Sequence, residues 1–267
     1  MKASELMLSA PGCGQFPLPY DAIPYQRPLA ARAWQEQQLQ ALLGTPHEQQ
    51  FFKALAGMGR ELGFDYCAYG LRLPFPWAKP RIVLFNNYPT AWQTRYRDAG
   101  YLAIDPTVKH GIRSVAPVVW SDALFASTPE FWEEARSFGL RFGWAESSRD
   151  ASGIGGMLTL ARSGEPLSEV ELQAKGYQMA WLAQVAHLGL AKRLLPKLVP
   201  ESQARLSKRE TAVLCWTAEG KTAAEISAIL HISERTVNFH IGNATLKLGA
   251  ANKTAAVARA AMLGILC

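Results

Sequence analysis

Cysteine and histidine are scarce in this chain of 267 residues. The four cysteines, Cys13, Cys67, Cys215 and Cys267, stand far apart without a C-x-x-C pair, and the five histidines lack metal-ligand spacing. These absences argue against a zinc site and indicate free thiols in a reducing compartment. We therefore predict no metal, no cofactor and a cytoplasmic location.

Long apolar runs are also missing. The first residues, MKASELMLSAPG, lack the apolar segment of a signal peptide. No run approaches the roughly 20 residues that span a bilayer. The sequence predicts neither secretion nor a membrane partner.

The patterns of common catalytic and nucleotide-binding sites are absent as well. There is no G-x-S-x-G and no His-x-His, and Glu133 and Glu134 fall on an amphipathic helix whose charged face we expect to be solvated. Residues 220–222, Gly-Lys-Thr, match the end of a phosphate-binding loop, but Cys215 stands where that loop needs its first glycine. We predict that the protein is not an enzyme.

Positive charge exceeds negative charge along the chain. Lys and Arg number 28 against 22 Asp and Glu, which gives a net charge of +6 and a pI near 9.2. Residues 201–267 alone contain eight Lys or Arg and five Glu, a net charge of +3. This balance permits a polyanionic partner, which would have to meet a folded surface because no basic tail is present.

Changes in hydrophobic period divide the first part of the chain. Residues 1–45 read as an N-terminal extension, rich in proline and glycine up to about residue 30 and helical from about Trp34. In residues 46–195, helical patterns flank segments rich in β-formers, namely YCAYGLRL, RIVLFNN, APVVW and GGMLTLAR. This order predicts an α+β protein whose N-terminal domain is an α/β/α sandwich around an antiparallel sheet.

A long helix is predicted to begin near Ser168, with an apolar stripe at Trp181, Val185 and Leu188. Two prolines and exposed charges then predict a linker at 196–204, followed by a second domain at 205–267.

The second domain carries repeated helix start signals. Ser207 with Glu210 and Thr222 with Glu225 form capping boxes, and Ser233 caps a third helix after a short joint. Two helices joined so closely predict an all-α helix-turn-helix domain.

The third helix of this domain has two faces. Val237, Ile241 and Leu248 can pack inward against Ile226 and Leu230, which leaves a polar outer face. A helix of about 16 residues is about 24 Å long, which suits a major groove about 12 Å wide. DNA binding is the favoured interpretation, and a small helical interaction module with a solvated polar face is the alternative.

The segment LSKRETAVLCWTAEGKTAAEISAILHISERTVNFHIGNATLKLGAANKTAAVARA resembles the DNA-binding domain of LuxR-type regulators along its whole length. Matching residues include Glu210, Leu214, Gly220 and the run SERTVNFHI. The resemblance implies that the protein binds double-stranded promoter DNA.

We assign the DNA contacts to polar residues of the helix-turn-helix, namely Lys221, Thr222, Arg235, Thr236, Asn238, Asn243 and Lys247. Lys221, Arg235 and Lys247 are candidates for phosphate contacts. Arg235, Asn238 and Asn243 are candidates for base-edge contacts.

The segment from about residue 48 to 190 resembles the ligand domain of the LuxR-type acyl-homoserine-lactone receptors. The resemblance lies in NYPTAWQTRY, IDPTVKHG, VVW, FGLRFG and LTL. It implies that Trp92 donates its indole N–H to the lactone carbonyl, that Asp105 accepts the amide N–H, and that Tyr88 reaches the amide carbonyl.

The same resemblance implies a hydroxyl from Thr159 near the amide or the 3-position, walls from Tyr96 and Trp120, and space beside the head-group at Gly143. Each unpaired polar group of a buried ligand costs about 1–3 kcal/mol, so such a polar set suits an acyl-homoserine lactone. Each residue also has a structural alternative. Trp92 and Trp120 can be core aromatics, and Asp105 can cap a helix.

Two departures from the family pattern bear on the ligand. After Gly143 the sequence continues WAESS, without the proline that the family often has there, and Ala68 stands where orphan receptors of the family can offer a serine hydroxyl. The expected function is a bacterial quorum-sensing transcription regulator that acts as a homodimer, with RNA polymerase as a further candidate partner. The alternatives are a receptor of the same fold for a different small molecule and a regulator that binds DNA without a ligand.

Overall fold

A computed structural model of the chain describes residues 29–73, 75, 81–150 and 154–266. Residues 1–28 of the predicted N-terminal extension lie outside this part, and helix α1 (Leu29–Leu43) takes up most of the rest. Helix α2 (Glu48–Glu61) follows and begins the first domain.

A five-stranded antiparallel sheet forms the centre of the first domain. Its strands are β1 (Tyr66–Arg72), β2 (Ile82–Asn86), β3 (Val118–Val119), β4 (Phe142–Arg149) and β5 (Gly155–Arg162). They lie in the order β2-β1-β5-β4-β3. The sandwich with an antiparallel sheet is therefore confirmed, although β4 did not stand out in the sequence because its run FGWAESSR mixes apolar and polar residues without alternation.

Helices cover both faces of the sheet. The connections from β2 to β4 contain α3 (Thr90–Asp98), α4 (Pro106–Arg113), α5 (Asp122–Phe125) and α6 (Pro129–Ser137). The long helix α7 (Glu169–Leu198) begins after the cap Ser168, as predicted. The side chains of Tyr69, Leu71, Leu158 and Leu160 are fully buried in the core that the sheet forms with α2 and α7.

The core-facing side of α7 differs from the predicted stripe. Trp181 and Val185 pack against the core, but Leu188 is 61% exposed, so its predicted burial was wrong. The fully buried positions of α7 are Met179, Leu182, Ala183, Ala186, His187 and Leu190. Apolar residues lie on more than one side of this helix, and tertiary packing decides which side is covered.

The predicted linker at 196–204 is partly helical. Helix α7 continues through Pro196 to Leu198, and a short 3-10 helix spans Pro200–Gln203. Val199 between them is only 4% exposed and packs on the core of the first domain. The connection is thus shorter and more closely attached than a free linker.

The second domain contains four helices, α8 (Lys208–Ala218), α9 (Ala223–Leu230), α10 (Glu234–Lys247) and α11 (Lys253–Met262). Both predicted capping boxes are present, and the Ser233 hydroxyl accepts the backbone N–H of Thr236. His231 ends α9 in a left-handed conformation, with φ of 52°, and makes the tight joint to α10. Val237 and Leu248 are buried as predicted, and α10 has 14 residues rather than about 16.

Two glycines of α7 provide a matched test of helix packing. A Cβ at Gly189 would overlap the ring of Phe51 on α2, whereas a Cβ at Gly176 meets nothing within 4 Å. We expect Gly189→Ala to destabilise the protein by about 1–3 kcal/mol through overpacking. Gly176→Ala should stabilise it by about 0.5–1 kcal/mol because alanine favours the helix. Thermal unfolding of the two variants checks the packing, and equal shifts in the same direction would contradict it.

Candidate functional site

A cavity of about 540 Å³ lies between the sheet and helices α3 to α6. Its floor is the sheet face opposite the α7 core. Small residues form part of this floor, because Thr159 of β5 pairs with Ala68 of β1 and both line the cavity. Gly70 lies two residues along β1 from Ala68, on the same face. Leu84 of β2 and Met157 of β5 pair with Gly70 and also line the cavity, so small side chains are confined to Ala68, Gly70 and Thr159 on this part of the floor.

The wall opposite the floor is aromatic. Trp92 is 2% exposed and packs against Tyr101, Phe131 and Phe138 at ring-centroid distances of 5.5–5.9 Å. The indole of Trp92 borders the cavity, and its N–H has no hydrogen-bond partner among the described residues. Trp92 can therefore pack in the aromatic core and contact a ligand in the cavity at the same time.

Asp105 holds a carboxylate at the edge of the cavity. Its Oδ1 accepts the backbone N–H of Thr107 at 2.8 Å and the Thr107 hydroxyl at 2.7 Å, so Asp105 caps α4. Its Oδ2 accepts the Tyr96 hydroxyl at 3.0 Å. Burial raises the pKa of Asp105, although the bonds from Thr107 and Tyr96 oppose this effect. One carboxylate oxygen is thus committed to the helix, and the other faces the cavity.

Phenol and hydroxyl groups complete the polar end. Burial raises the pKa of Tyr88 and of Tyr96, and the nearby carboxylate of Asp105 adds to this effect, so both phenols stay protonated. Tyr88 and Thr159 border the cavity, and neither hydroxyl has a hydrogen-bond partner in the described part of the chain. Donors and one strong acceptor therefore surround a mainly apolar volume.

Gly143 lies against the Trp120 indole, which itself borders the cavity. The structure does not place it in the cavity lining, whereas all the other predicted ligand residues line the cavity. A Cβ at Gly143 would overlap the Trp120 indole, and the backbone N–H of Trp120 donates to the Gly143 carbonyl at 2.8 Å. The space at Gly143 is thus filled by Trp120, whose indole N–H is buried without a partner among the described residues.

The two departures from the family pattern also lie at the cavity. Ala68 lines the floor and offers no hydroxyl. The WAESS run forms part of β4 and places Ser147 and Ser148 in the lining, and the Ser148 hydroxyl is buried without a partner in the described structure. The sequence did not reveal these hydroxyls as site residues, because their role depends on the pairing of β4 with β5.

The outer face of α10 carries most of the predicted DNA contacts. Arg235 and Asn238 are exposed, and Thr236 and Asn243 are half-buried. Thr222 is the cap of α9, and Lys221 lies 3.6 Å from the Glu225 carboxylate. The Thr222 cap fixes the start of α9.

Lys247 has an intramolecular partner that the sequence did not suggest. Its ammonium donates to the Glu210 carboxylate at 2.7 and 2.9 Å. The Glu210 side chain is 5% exposed, whereas that of Lys247 is 42% exposed. Burial raises the pKa of Glu210, but the bonds from Lys247 and from the Ser207 backbone outweigh it and lower the pKa overall. The pair joins the start of α8 to the end of α10.

Metal and membrane features are not found in the structure that is described. No group of three or more His, Cys, Asp or Glu residues could hold a metal ion within residues 29–73, 75, 81–150 and 154–266. None of the helices in the same ranges combines the length and apolarity needed to cross a bilayer. Cys67 and Cys215 are free thiols, and Cys13 and Cys267 lie outside the described residues.

Comparison with known proteins gives two family matches. Residues 47–190 match the family described as autoinducer binding domain. Residues 204–260 match the luxR family of bacterial regulatory proteins.

Individual relatives cover nearly the whole chain. Transcriptional activator protein SolR of Ralstonia nicotianae is 48% identical over 82% of this chain and 93% of its own length. Transcriptional activator protein AnoR of Acinetobacter nosocomialis is 48% identical over 88% of this chain and 99% of its own. The structure of Escherichia coli SdiA in complex with octanoyl-rac-glycerol matches with a TM-score of 0.75 at 34% identity, over 88% of this chain and 96% of that one.

The Glu210–Lys247 pair permits a test of what Lys247 does. Lys247→Ala would leave a buried carboxylate unpaired, so we expect a loss of about 1–3 kcal/mol in the stability of the second domain. Because the pKa of Glu210 is lowered, the pair stabilises the fold above the ordinary pKa of glutamate and loses this effect as the pH falls below it. Hydrogen exchange of α8 and α10 in the full chain at pH 7 and pH 4 measures both effects.

The exposed Lys208 provides the control, and Lys208→Ala should change stability by no more than about 0.5 kcal/mol. Unchanged protection in Lys247→Ala together with weaker DNA binding would instead favour the direct phosphate contact that the sequence suggested.

Proposed function

This chain belongs to the LuxR family of bacterial regulatory proteins and has an autoinducer-binding domain, and from this we propose that its cavity binds an N-acyl-homoserine lactone. The ligand then controls transcription through the helix-turn-helix. The observation that carries this proposal is an apolar cavity lined by both the Asp105 carboxylate and the Trp92 indole, whose N–H has no hydrogen-bond partner among the described residues.

The polar end of the cavity suits the lactone head-group. Oδ2 of Asp105 accepts the amide N–H, and the Tyr88 hydroxyl and Trp92 N–H donate to the amide and lactone carbonyls. Thr159 supplies a further hydroxyl, and Tyr96 and Trp120 enclose the ring. These pairings satisfy polar groups that would each cost about 1–3 kcal/mol if buried alone.

The apolar part of the cavity suits the acyl chain. Each methylene that leaves water contributes about 0.8 kcal/mol. A molecule that binds only the folded state stabilises the protein by about 2.7 kcal/mol at a hundredfold excess over its Kd. We therefore propose that the ligand forms part of the core of the first domain.

A second candidate ligand is an acylglycerol. The SdiA structure that resembles this chain contains octanoyl-rac-glycerol. A glycerol hydroxyl can donate to Asp105 as an amide N–H does. Because Ala68 has no hydroxyl, the floor of the cavity has one polar group fewer with which to select a particular head-group. Both ligands share an apolar chain and a neutral polar head.

The DNA-binding part of the proposal concerns the outer face of α10. Arg235 and Lys221 contact phosphates, and Arg235, Asn238 and Asn243 reach base edges, with Thr222 and Thr236 beside them. We propose that residues 46–195 and 205–267 act as two domains of a cytoplasmic homodimer. Such a dimer would place two recognition helices on an inverted repeat about one helical turn apart, with RNA polymerase as a further partner.

Asp105→Asn tests the ligand site. Asparagine caps helices as well as aspartate does, so the fold should persist, but the new amide nitrogen cannot accept the ligand N–H. We expect the affinity for the best acyl-homoserine lactone to fall by about 10–100-fold. The measurement is the rise in unfolding temperature of the full chain with lactones from short to long chain and with octanoyl glycerol.

Asp98→Asn is the matched control, because Asp98 is exposed and pairs only with Arg97 among the described residues. A wild-type response to octanoyl glycerol but to no lactone would select the second candidate. Full lactone response in Asp105→Asn would refute the assigned acceptor.

Arg235→Ala tests the DNA surface. Loss of a phosphate or base contact should weaken binding by about 1–3 kcal/mol and reduce its salt dependence. Fluorescence anisotropy on duplexes enriched by the wild-type protein from a random pool, at several salt concentrations, measures both. Lys192→Ala removes one exposed charge from α7 and should leave both unchanged. Equal DNA affinity and equal salt dependence in the two variants would argue against DNA binding through the outer face of α10.

A further inference from the structure

One residue of the cavity lining belongs to the second domain. Met262 is the last residue of α11 and borders the cavity together with residues of the sheet. It is half-buried, but it is not part of the apolar core that its neighbours Leu263 and Ile265 help to form. The Met262 side chain therefore borders the cavity and is not part of the core of its own domain.

The contacts of α11 indicate which end of the cavity Met262 closes. Arg259 lies three residues earlier, on the same side of α11, and its guanidinium is 4.8 Å from the centre of the Phe75 ring. Phe75 is two residues after Leu73, which also lines the cavity and lies just beyond the end of β1. Ala68, at the polar end, is five residues earlier, or about 17 Å along a strand. Met262 thus lies at the end remote from the head-group.

Arg259 also connects α11 to the end of α10, which is the recognition helix of the proposed DNA-binding surface. Its Nη1 donates to the carbonyls of Leu248 and Gly249 at 2.8 and 2.7 Å, and it lies 3.3 Å from the Glu201 carboxylate. Gly249 has a φ of 58°, and a Cβ there would crowd both Glu201 and Arg259. The guanidinium of Arg259 on α11 therefore contacts both the segment between the domains and the end of α10.

We propose that Met262 is a specificity-determining residue that forms the end wall of the ligand cavity, so that the DNA-binding domain itself limits the length of the ligand. A chain that just reaches Met262 is enclosed by both domains. A longer chain displaces α11 and, through Arg259, the recognition helix. This inference rests on the proposed function, because it concerns the apolar chain of the same ligand.

Variants of Met262 in the full chain test the wall. Each methylene that gains or loses burial changes affinity by about fourfold. Met262→Ala should move the lactone that gives the largest rise in unfolding temperature to a longer chain, and Met262→Phe should move it to a shorter one. Because each variant is compared with itself across the lactone panel, a change in its own stability does not affect the result.

Leu246→Ala is the control, because Leu246 is an apolar residue of the same domain that is 80% exposed and absent from the cavity lining. It should keep the wild-type optimum. A second readout is DNA affinity with a lactone longer than the wild-type optimum, which should weaken DNA binding in the wild type and not in Met262→Ala.

The outcomes separate the two proposals. A wild-type optimum that stays in place in both Met262 variants would overturn the end wall and leave the proposed ligand intact. No response of the wild type to any lactone would overturn both.

Discussion

The alternation of side chains along β1 and β5 is the constraint on which the rest of the structure depends. Tyr69 and Leu158 point into the apolar core, while Ala68, Gly70 and Thr159 point to the other face and border the cavity. Because the period of a strand is two, a register shift of one residue would put large side chains into the cavity and small ones into the core. The packing of α7 on the sheet and the shape of the ligand site are therefore fixed by the same strand pairing.

Asp105 shows how a structural role can prepare a functional one. Its first oxygen caps α4, with Pro106 at the start of that helix, and this fixes the direction of the second oxygen. Tyr96 donates to that second oxygen. An acceptor already held in place loses little entropy when a ligand binds. The sequence left open whether Asp105 is a helix cap or a ligand contact. The structure allows Asp105 to have both roles at once.

The features that could be predicted from the sequence are mostly local, apart from the cavity residues, which came from the family resemblance. Ser207 and Thr222 cap the expected helices because a capping box needs residues only three positions apart. Leu188 could not be placed, because a helix with apolar residues on several sides does not say which side is covered. Lys247 pairs with a residue 37 positions away, and Met262 meets a cavity in another domain. Contacts of this kind leave no periodic signal.

The internal ties of the second domain determine how a ligand could act on DNA binding. The Glu210–Lys247 pair joins α8 to the end of α10, and Arg259 joins that same end to α11. Because bending α10 alone would expose a buried carboxylate, we expect this domain to move as one body. Under the proposal that the ligand reaches Met262, a ligand that contacts α11 would change where α10 lies and leave the shape of α10 unaltered. In the proposed homodimer, DNA affinity would then depend on the spacing of two such helices.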